Sequence, residues 1–276
     1  VVNHVRTHSI RKVVVVSDGG NFLTSIPWHE LKGVEVSAVE QTQSGIDRTR
    51  DLGAYPPPMV NVAESYAKKE YESVFIGGAV VDKIEQLGYL GRRHKFGVIG
   101  YGAIGKAIIE KLQKNGEDVS VYETNIEVPG ATTHKHSLEE LVGSSDVIIG
   151  TTGTDVLRGM FIDRLRGHKV FLSASSGNIE FSYLFDLVKK YPNTFEDVSE
   201  YVNEHFKLTI LNGGYPINFD REEEWEAVEN IQLTRTLMYA GFLQAVTETH
   251  ARGRLISLRN DFERSIIDEW KRLTKK

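Results

Sequence analysis

Residues 95–106 read Lys95-Phe96-Gly97-Val98-Ile99-Gly100-Tyr101-Gly102-Ala103-Ile104-Gly105-Lys106. An apolar run leads into a Gly-x-Gly-x-x-Gly motif, and the motif leads into a helical pattern, so the stretch predicts a strand, a tight turn and a helix. In such a unit the first glycine permits the turn, the second lets the backbone approach a pyrophosphate, and the third lets the helix pack on the strand. We therefore predict that a dinucleotide binds at this motif, whose residues are Gly100, Tyr101, Gly102, Ala103, Ile104 and Gly105.

A carboxylate follows the motif at the spacing that a ribose contact requires. Glu123 stands at the end of the next predicted strand, about twenty residues on, where a carboxylate binds the ribose 2′-hydroxyl. A 2′-phosphate would be repelled there, and no arginine occurs at 124–126. The sequence therefore predicts NAD rather than NADP, with the pyrophosphate at the N-terminus of the helix.

Strands and helices alternate from residue 95 onward. The predicted strands are 95–100, 118–122, 146–150, 169–174 and 207–211, with helices at 104–113 and 137–142 between the first three. This order is typical of right-handed βαβ units on a parallel sheet. We predict an α/β protein with a Rossmann-type doubly wound parallel sheet, followed by a long C-terminal helical segment at 223–251 and 255–272.

The segment before residue 91 is predicted to be the remnant of a second, substrate-binding domain. Its valine-rich strand at Lys12–Ser17 stops at Asp18-Gly19-Gly20, a weaker apolar stretch occupies 34–39, and a loop at 48–58 ends in three prolines. A helical pattern at 63–87, broken by Gly77-Gly78, predicts a kinked connecting helix. The predicted domains are a partial substrate-domain segment at 1–90, the NAD-binding domain at 91–222 and the C-terminal helices at 223–276.

The composition excludes several classes of protein. The 276 residues carry a net charge of −5, 40% of them are apolar, and none is cysteine. Disulfide scaffolds, thiolate metal sites and cysteine nucleophiles are therefore excluded. The net negative charge also gives no indication of a basic surface that would bind nucleic acid. No apolar run approaches the ~20 residues that cross a bilayer. We expect a cytoplasmic globular protein, and the start at Val1 without a signal segment predicts a fragment.

Several segments along the chain resemble, in the same order, segments of one enzyme family. They are Asp18-Gly19-Gly20, Glu40-Gln41-Thr42-Gln43-Ser44-Gly45, the run from Val60 to Ser65 that leads into Lys68, the glycine motif, Thr151-Thr152-Gly153 and Ile217-Asn218. Together they resemble the S-adenosylhomocysteine hydrolase family. The resemblance implies tightly bound NAD that oxidises the 3′-hydroxyl of a substrate ribose, loss of a thiolate, addition of water and return of the hydride.

The resemblance also implies roles for individual residues. Asp18 and Lys68 match positions that touch the substrate sugar, and Glu72 matches an aspartate one methylene shorter. Lys68 and Glu72 are spaced i, i+4 and so lie on one helix face, where a solvated ion pair is the alternative to a catalytic pair. Glu40, Gln41 and Thr42 are implied to bind the substrate. Thr151, Thr152, Gly153 and Asn218 are implied to bind the cofactor.

The chain departs from the family where the family uses imidazole. Ser176 stands in place of one histidine, no histidine occurs at 218–225, and Gln41 replaces a glutamate. A serine cannot exchange a proton near neutral pH as imidazole does. His134 and His136 are set aside as metal ligands, because i, i+2 side chains on a helix diverge and no third ligand follows. We therefore predict no metal site.

Three functions remain open on the sequence. The first is an NAD-dependent enzyme that oxidises a ribosyl or other hydroxylated small molecule. The second is an NAD-binding homologue without catalysis, acting as a sensor or interaction partner. The third is a true adenosylhomocysteinase whose N-terminal domain lies upstream. The partners expected are a small-molecule substrate, such as a nucleoside or thioether, and a second copy of the chain. The apolar stripe in the C-terminal helix could form the contact with that copy, and packing of the stripe against its own domain is the alternative.

Overall fold

The computed structural model describes residues 1–50, 56–125, 127–129, 132–160, 162–188, 198–202, 204–219 and 227–274. The chain divides into two compact units. The first unit comprises Val1–Glu72 together with Ala227–Lys276, and the second comprises Ser73–Glu226. The second unit is therefore inserted into the first. This division differs from the predicted one, since residues 73–90 belong to the second unit and the C-terminal segment belongs to the first.

Helices and strands are numbered in chain order. The elements up to Glu72 are α1 (Val2–Thr7), β1 (Lys12–Ser17), α2 (Asn21–Ser25), β2 (Glu35–Glu40), α3 (Gln43–Arg50) and β3 (Met59–Asn61), followed by a π-helical turn at Lys68–Glu72. The second unit contains α4 (Ser73–Gln86), β4 (Lys95–Ile99), α5 (Ala103–Lys114), β5 (Asp118–Tyr122), β6 (Thr133–His134), α6 (Leu138–Ser144), β7 (Val147–Gly150), β8 (Gly167–Ser173), α7 (Ser182–Val188), β9 (Ser199–Val202) and β10 (Phe206–Ile210). The chain then returns to the first unit with α8 (Val228–Thr247), β11 (Leu255–Ser257) and α9 (Asn260–Thr274).

The first unit is built on a parallel sheet of strand order β1-β2-β3-β11. Its helices α2 and α3 bury Leu23 and Ile46 in the core against the sheet, and each such side chain contributes about 1.5–3 kcal/mol by leaving water. The edge strand β11 comes from the C-terminal segment. The sheet that the N-terminal segment begins is therefore completed by residues 255–257.

The second unit has the predicted Rossmann-type sheet, with strand order β6-β5-β4-β7-β8-β10-β9. All neighbours are parallel except β9 and β10, which are antiparallel. One face packs a core around Val98, Ile108 and Leu112, and the other packs a core around Phe171 and Phe181. Strand order reverses between β4 and β7, which is where such sheets open a crevice at their carboxyl ends.

Two predictions about secondary structure are wrong. Residues 255–257 form the short strand β11 and not the start of a helix, because pairing with β3 overrides the local helical pattern. The predicted break at Gly77-Gly78 does not occur, since α4 runs through both glycines. A Cβ on Gly77 would lie 2.7 Å from the Cβ of Ala107, so this glycine lets α4 pack closely on α5.

The C-terminal apolar stripe packs within its own unit. Ile267 and Trp270 of α9 are buried, and the indole N–H of Trp270 donates to the carbonyl of Glu229 on α8. The acidic segment at 220–226 lies outside the described residues. Among the helices described, none combines the length and apolar character needed to cross a membrane.

Candidate functional site

The three glycines of the motif occupy the turn between β4 and α5, and each has a different environment. Gly100 has a φ of +100°, and a Cβ there would lie 2.7 Å from Oγ1 of Thr151. A Cβ on Gly105 would lie 2.3 Å from the carbonyl oxygen of Gly100, whereas a Cβ on Gly102 would meet no atom within 4 Å. The first and third glycines are thus required by the fold, and the second borders open space that a ligand can enter.

Helix α5 presents a free N-terminus at this space. Gly102 is its N-cap and no side chain caps it, while Gly102 and Ala103 are exposed. The first N–H groups of a helix lack intrahelical partners and, with the helix dipole, favour an anion. Tyr101 and Ile104 instead pack against the buried core of the second unit. The backbone of the motif is therefore available to a phosphate, while these two side chains anchor the turn.

Glu123 follows β5 and joins the glycine turn through its carboxylate. Its Oε2 accepts a hydrogen bond from the N–H of Tyr101 at 2.8 Å. Its Oε1 accepts from the N–H groups of Thr124 and Asn125, each at 2.7 Å. The partly exposed carboxylate is thus held at the turn, in the position where dinucleotide folds bind a ribose hydroxyl.

The loop after β7 lies against the same turn. The hydroxyl of Thr151 donates to the carbonyl oxygen of Ile99 at 2.9 Å, and the next two residues donate to a buried carboxylate, that of Glu180. The N–H of Thr152 donates to its Oε1 at 2.9 Å and the N–H of Gly153 to its Oε2 at 2.6 Å. The two loops at the reversal of strand order are therefore joined to each other and to Glu180.

Glu180 has no exposed surface. Besides the loop after β7, it accepts a hydrogen bond from the hydroxyl of Ser175, at 2.5 Å. Burial raises the pKa of the Glu180 carboxyl, and the hydrogen bonds from Ser175, Thr152 and Gly153 oppose that rise. Ser176, which stands where the resembled family has imidazole, is exposed beside this cluster.

Asn218 is a predicted cofactor contact whose buried polar atoms lack partners among the described residues. The residue is 3% exposed, and neither its Oδ1 nor its Nδ2 has a hydrogen-bond partner among the described residues. Its neighbour Ile217 donates its N–H to the carbonyl of Ser173 at the carboxyl end of β8. Buried amides are nearly always hydrogen-bonded. An unpaired amide at this edge, together with the open space at Gly102, fits a bound dinucleotide whose nicotinamide carries a complementary carboxamide.

In the first unit, the carboxyl ends of β1 and β2 bring the predicted substrate-binding residues together. Oε1 of Glu40 accepts hydrogen bonds from the N–H of Gly19 at 3.1 Å and from the N–H and hydroxyl of Thr42, each at 2.8 Å. Asp18 is exposed on the same loop. Glu40 itself has no exposed surface. It therefore holds the two loops in place, and direct substrate contact stays a prediction for Asp18, Gln41 and Thr42.

The carboxylate of Glu40 is closed off by a glycine. A Cβ on Gly45 would lie 2.5 Å from Oε2 of Glu40, and this oxygen has no hydrogen-bond partner among the described residues. Gly45 belongs to α3, whose first turn thus covers the carboxylate. Any larger residue at position 45 would displace the helix or the glutamate.

Lys68 and Glu72 form an ion pair in the π-helical turn. Nζ of Lys68 lies 2.9 Å from Oε1 of Glu72, and the two side chains are 12% and 14% exposed. The hydroxyl of Thr234, on α8, donates to the other oxygen of Glu72 at 2.7 Å. The pair is therefore not the solvated surface pair that spacing alone allows. Single π-helical turns are frequent at functional sites.

The two histidines set aside as metal ligands, His134 and His136, lie in and just after the strand β6 and not on a helix. His134 lies on the short strand β6, where its Nε2 is 3.1 Å from the carbonyl oxygen of Glu123. The rings of His134 and His136 are 6.2 Å apart. Within the described part of the chain, no three His, Asp or Glu residues are grouped as a metal site.

Sequence reasoning missed two residues of these clusters. Glu180 carries a weak signal, since it is a lone acid between Ile179 and Phe181 shortly after a predicted strand. Thr234 carries none, because it lies 162 residues from Glu72 and nothing in its neighbours indicates that contact. Both are partners of residues that the sequence did identify.

Part of the chain matches the family model of a dehydrogenase domain. Residues 68–164 match the model of the D-isomer specific 2-hydroxyacid dehydrogenase, NAD binding domain. The chain is 31% identical over 211 residues to "Uncharacterized protein Rv0104" of Mycobacterium tuberculosis (strain ATCC 25618 / H37Rv), covering 76% of this chain and 41% of that protein. The chain thus spans less than half the length of this relative.

Solved structures show lower similarity. Salmonella D-lactate dehydrogenase is 16% identical with a TM-score of 0.47, over 91% of this chain and 88% of that one. An NAD complex of formate dehydrogenase from Staphylococcus aureus is 13% identical with a TM-score of 0.43, over 65% and 61% of the chains. None of these matches supports the finer resemblance to S-adenosylhomocysteine hydrolase. The family match and the glycine turn together identify an NAD-binding, dehydrogenase-like domain within this chain.

Proposed function

We propose that the protein is an NAD-dependent oxidoreductase that oxidises a hydroxyl group of a small molecule. The observation that carries the proposal is the intact dinucleotide turn, in which Gly102 borders open space at the uncapped N-terminus of α5. The domain match at residues 68–164 supports the same cofactor. In this proposal, the second unit binds NAD and the first unit binds the substrate.

The residues for holding the cofactor follow from their chemistry. Backbone N–H groups at 102–105 would bind the pyrophosphate, Glu123 would bind a ribose hydroxyl, and Asn218 would pair with the nicotinamide carboxamide. Thr151, Thr152 and Gly153 would border the cofactor. When bound, NAD supplies hydride acceptance, and all proton handling is left to the protein.

Lys68 is our candidate for that proton handling. Oxidation of an alcohol releases the hydroxyl proton as the hydride leaves the carbon, and the side chain of Lys68, in its neutral amine form, would accept that proton and become an ammonium group. Glu72 fixes the ammonium at 2.9 Å, and Thr234 fixes Glu72. Asp18 and the loop of Gln41 and Thr42 would orient the remaining hydroxyl groups of the substrate.

The substrate class is open between two chemistries. The domain match favours a 2-hydroxy acid, whereas the loop sequences that resemble S-adenosylhomocysteine hydrolase favour a ribosyl group. We propose the hydroxy acid first, because the finer resemblance rests on motifs alone. Complete hydrolysis of a thioether would also need the missing imidazoles.

The experiment is a titration followed by a substrate panel. Purified protein is titrated with NAD and with NADP by calorimetry, then incubated with NAD and either D-2-hydroxy acids, adenosine or S-adenosylhomocysteine while reduced nicotinamide is followed by absorbance. NAD binding with reduction by one class supports the proposal and selects the substrate. Absence of NAD binding would refute it.

A non-catalytic NAD-binding protein is the second candidate. The exposed Ser176 in place of an imidazole favours it, since no histidine at that position can exchange a proton. Binding of NAD without reduction by any class of the panel would select this candidate.

Two further features belong to the proposal. We propose a cytoplasmic location and a homo-oligomer, although the α9 stripe packs on α8. Cell fractionation tests the first, and light scattering on the purified protein tests the second. A strictly monomeric mass would refute the oligomer.

A further inference from the structure

Glu180 is a carboxylate wholly enclosed at the cofactor end of the second sheet. It is 0% exposed and accepts four hydrogen bonds. Three come from the loop after β7, namely from the N–H of Thr152 (2.9 Å), the hydroxyl of Thr152 (2.9 Å) and the N–H of Gly153 (2.6 Å). The fourth comes from the hydroxyl of Ser175 at 2.5 Å.

The geometry of this loop is matched to the carboxylate. Two successive N–H groups pointing at one anion form a concavity of the kind that binds anions in loops. Gly153 has a φ of +71°, and a Cβ on Gly150 would lie 2.2 Å from Cγ of Glu180. The side chain of Glu180 therefore occupies space that only a glycine at 150 leaves free, and its charge fills a site that an external anion would otherwise take.

No described lysine, arginine or histidine forms an ion pair with Glu180. A buried carboxylate without a cation is destabilising unless hydrogen bonds to it compensate for lost hydration. An apolar residue would fill this core position at lower free energy. The carboxylate at this position is therefore explained by what it holds, which is the loop at 152–153 and the start of the segment after β8.

That loop is in direct contact with the glycine turn. Thr151 precedes it, donates to the carbonyl of Ile99 and lies where a Cβ on Gly100 would clash. The hydrogen bonds that hold Thr152 and Gly153 therefore also hold Thr151, which contacts the glycine turn. A loop that is ordered before the ligand arrives loses less conformational entropy on binding.

We infer that Glu180 is a positioning residue for the dinucleotide, acting through Thr152 and Gly153 and not by touching the ligand. The inference rests on NAD binding in the proposed function. Its consequence is that the ligand-free protein already holds the loop at 151–153 in its binding conformation.

The test compares two buried, hydrogen-bonded charges of the same unit. Glu180→Gln keeps the size of the side chain but replaces one acceptor oxygen by an amide N–H₂ group. Facing the N–H of Gly153, that group is a second donor, so the hydrogen bond between the two residues is lost. Lys169→Met is the matched control: Lys169 is 4% exposed and donates to the carbonyls of Gly143 and Ser145 near the amino end of β8, away from the loop. NAD affinity is measured by calorimetry well below the unfolding temperature of each variant.

We expect Glu180→Gln to raise the Kd for NAD about tenfold and Lys169→Met to leave it within about twofold. An unchanged Kd in Glu180→Gln, or equal losses in both variants, would overturn the inference. If the wild type fails to bind NAD, the proposed function is wrong. If the wild type binds NAD and Glu180→Gln binds it equally well, only the inference about Glu180 is wrong.

A second measurement does not depend on that variant folding. In the ligand-free wild type, hydrogen–deuterium exchange at the amides of Thr152 and Gly153 should be as slow as in β7, because both N–H groups are bonded to a buried carboxylate. Ser175→Ala, which removes one of the four donors, should speed exchange at these amides and leave β4 unchanged. Fast exchange at both amides in the wild type would overturn the inference.

Discussion

The hydroxyl of Thr234 donates a hydrogen bond to the carboxylate of Glu72 across 2.7 Å, and the other oxygen of that carboxylate holds Lys68. The bond joins α8 to the π-helical turn within the first unit. Because α8 follows the inserted second unit in sequence, the geometry of the Lys68 side chain depends on both ends of the chain.

Removal of the side-chain amino group tests the role of Lys68. In Lys68→Met, we expect loss of NAD reduction by at least about a hundredfold, because one general acid–base group contributes roughly that factor. The Kd for NAD should stay unchanged. Lys69→Met is the control, since Lys69 is exposed in the same turn and should keep its activity. Full turnover in Lys68→Met would remove Lys68 from the mechanism.

Loss of the donor to Glu72 should be measurable as stability. Thr234→Val keeps shape but removes the hydroxyl, and we expect the free energy of unfolding to fall by about 1.5–3 kcal/mol, the range for a hydrogen bond to a charged group. Thr234→Ser should restore most of it. The control is Thr236→Val, because Thr236 is exposed on the same helix and donates to the carbonyl of Gln232. Denaturant unfolding monitored by circular dichroism gives the comparison, and equal losses at 234 and 236 would contradict it.

The second and third glycines of the turn should separate binding from folding. A Cβ on Gly102 meets nothing within 4 Å, so Gly102→Ala should change the free energy of unfolding by less than about 1 kcal/mol while weakening NAD binding. A Cβ on Gly105 would lie 2.3 Å from a carbonyl oxygen, so Gly105→Ala should lower stability by about 1–3 kcal/mol. Calorimetric binding and denaturant unfolding check both. Tight NAD binding by Gly102→Ala would contradict the placement of the pyrophosphate.

Cofactor choice should depend on Glu123. Glu123→Ala removes the ribose contact and the repulsion of a 2′-phosphate, so we expect weaker NAD binding and a smaller preference over NADP. Glu127→Ala removes the same charge from an exposed position four residues on and should change neither constant. The ratio of the two Kd values is the measurement, and an unchanged ratio in Glu123→Ala would exclude the assigned role.

The pH dependence of stability should reveal the buried charge of Glu180. Burial raises the pKa of Glu180, so the folded state binds its proton more tightly than the unfolded state does. A raised pKa gives stability that is present at low pH and is lost as pH rises through the folded-state pKa. We expect the wild type to gain stability relative to Glu180→Gln as pH falls from about 8 to about 5. Urea unfolding of both proteins measures this difference, and a constant difference would contradict it.

The dinucleotide turn was predictable because its parts are close in sequence. Strand, glycines, helix start and Glu123 all lie between residues 95 and 123, and each has its own local signal. The strands β3 and β11 were not predicted, because three residues are too few to show a period of two. Strand β3 pairs with β2 as well as with β11, whereas β11, among the described strands, pairs only with β3, across almost two hundred residues.

Glu180 and Thr234 were not predicted either, because each contacts its partner across a long sequence separation. Glu180 and Thr234 act on residues that the sequence identified, but over 28 and 162 positions respectively. Burial of Glu40 was equally hidden, since a glutamate after a strand looks like a ligand contact until Gly45 is seen to cover it. Sequence spacing therefore identified candidate site residues, whereas only the packing of the folded chain shows which of their polar groups are accessible to a ligand.

The insertion of one unit into the other has a consequence for synthesis. During translation, Val1–Glu72 is synthesised before the inserted unit. The elements that complete the first unit, α8, β11 and α9, are synthesised only after the whole of Ser73–Glu226. The nascent β3 therefore has an open edge while the nucleotide-binding unit folds, and open edges invite pairing with other chains. Strand β3 can therefore pair with β11 only after the whole inserted unit has been synthesised.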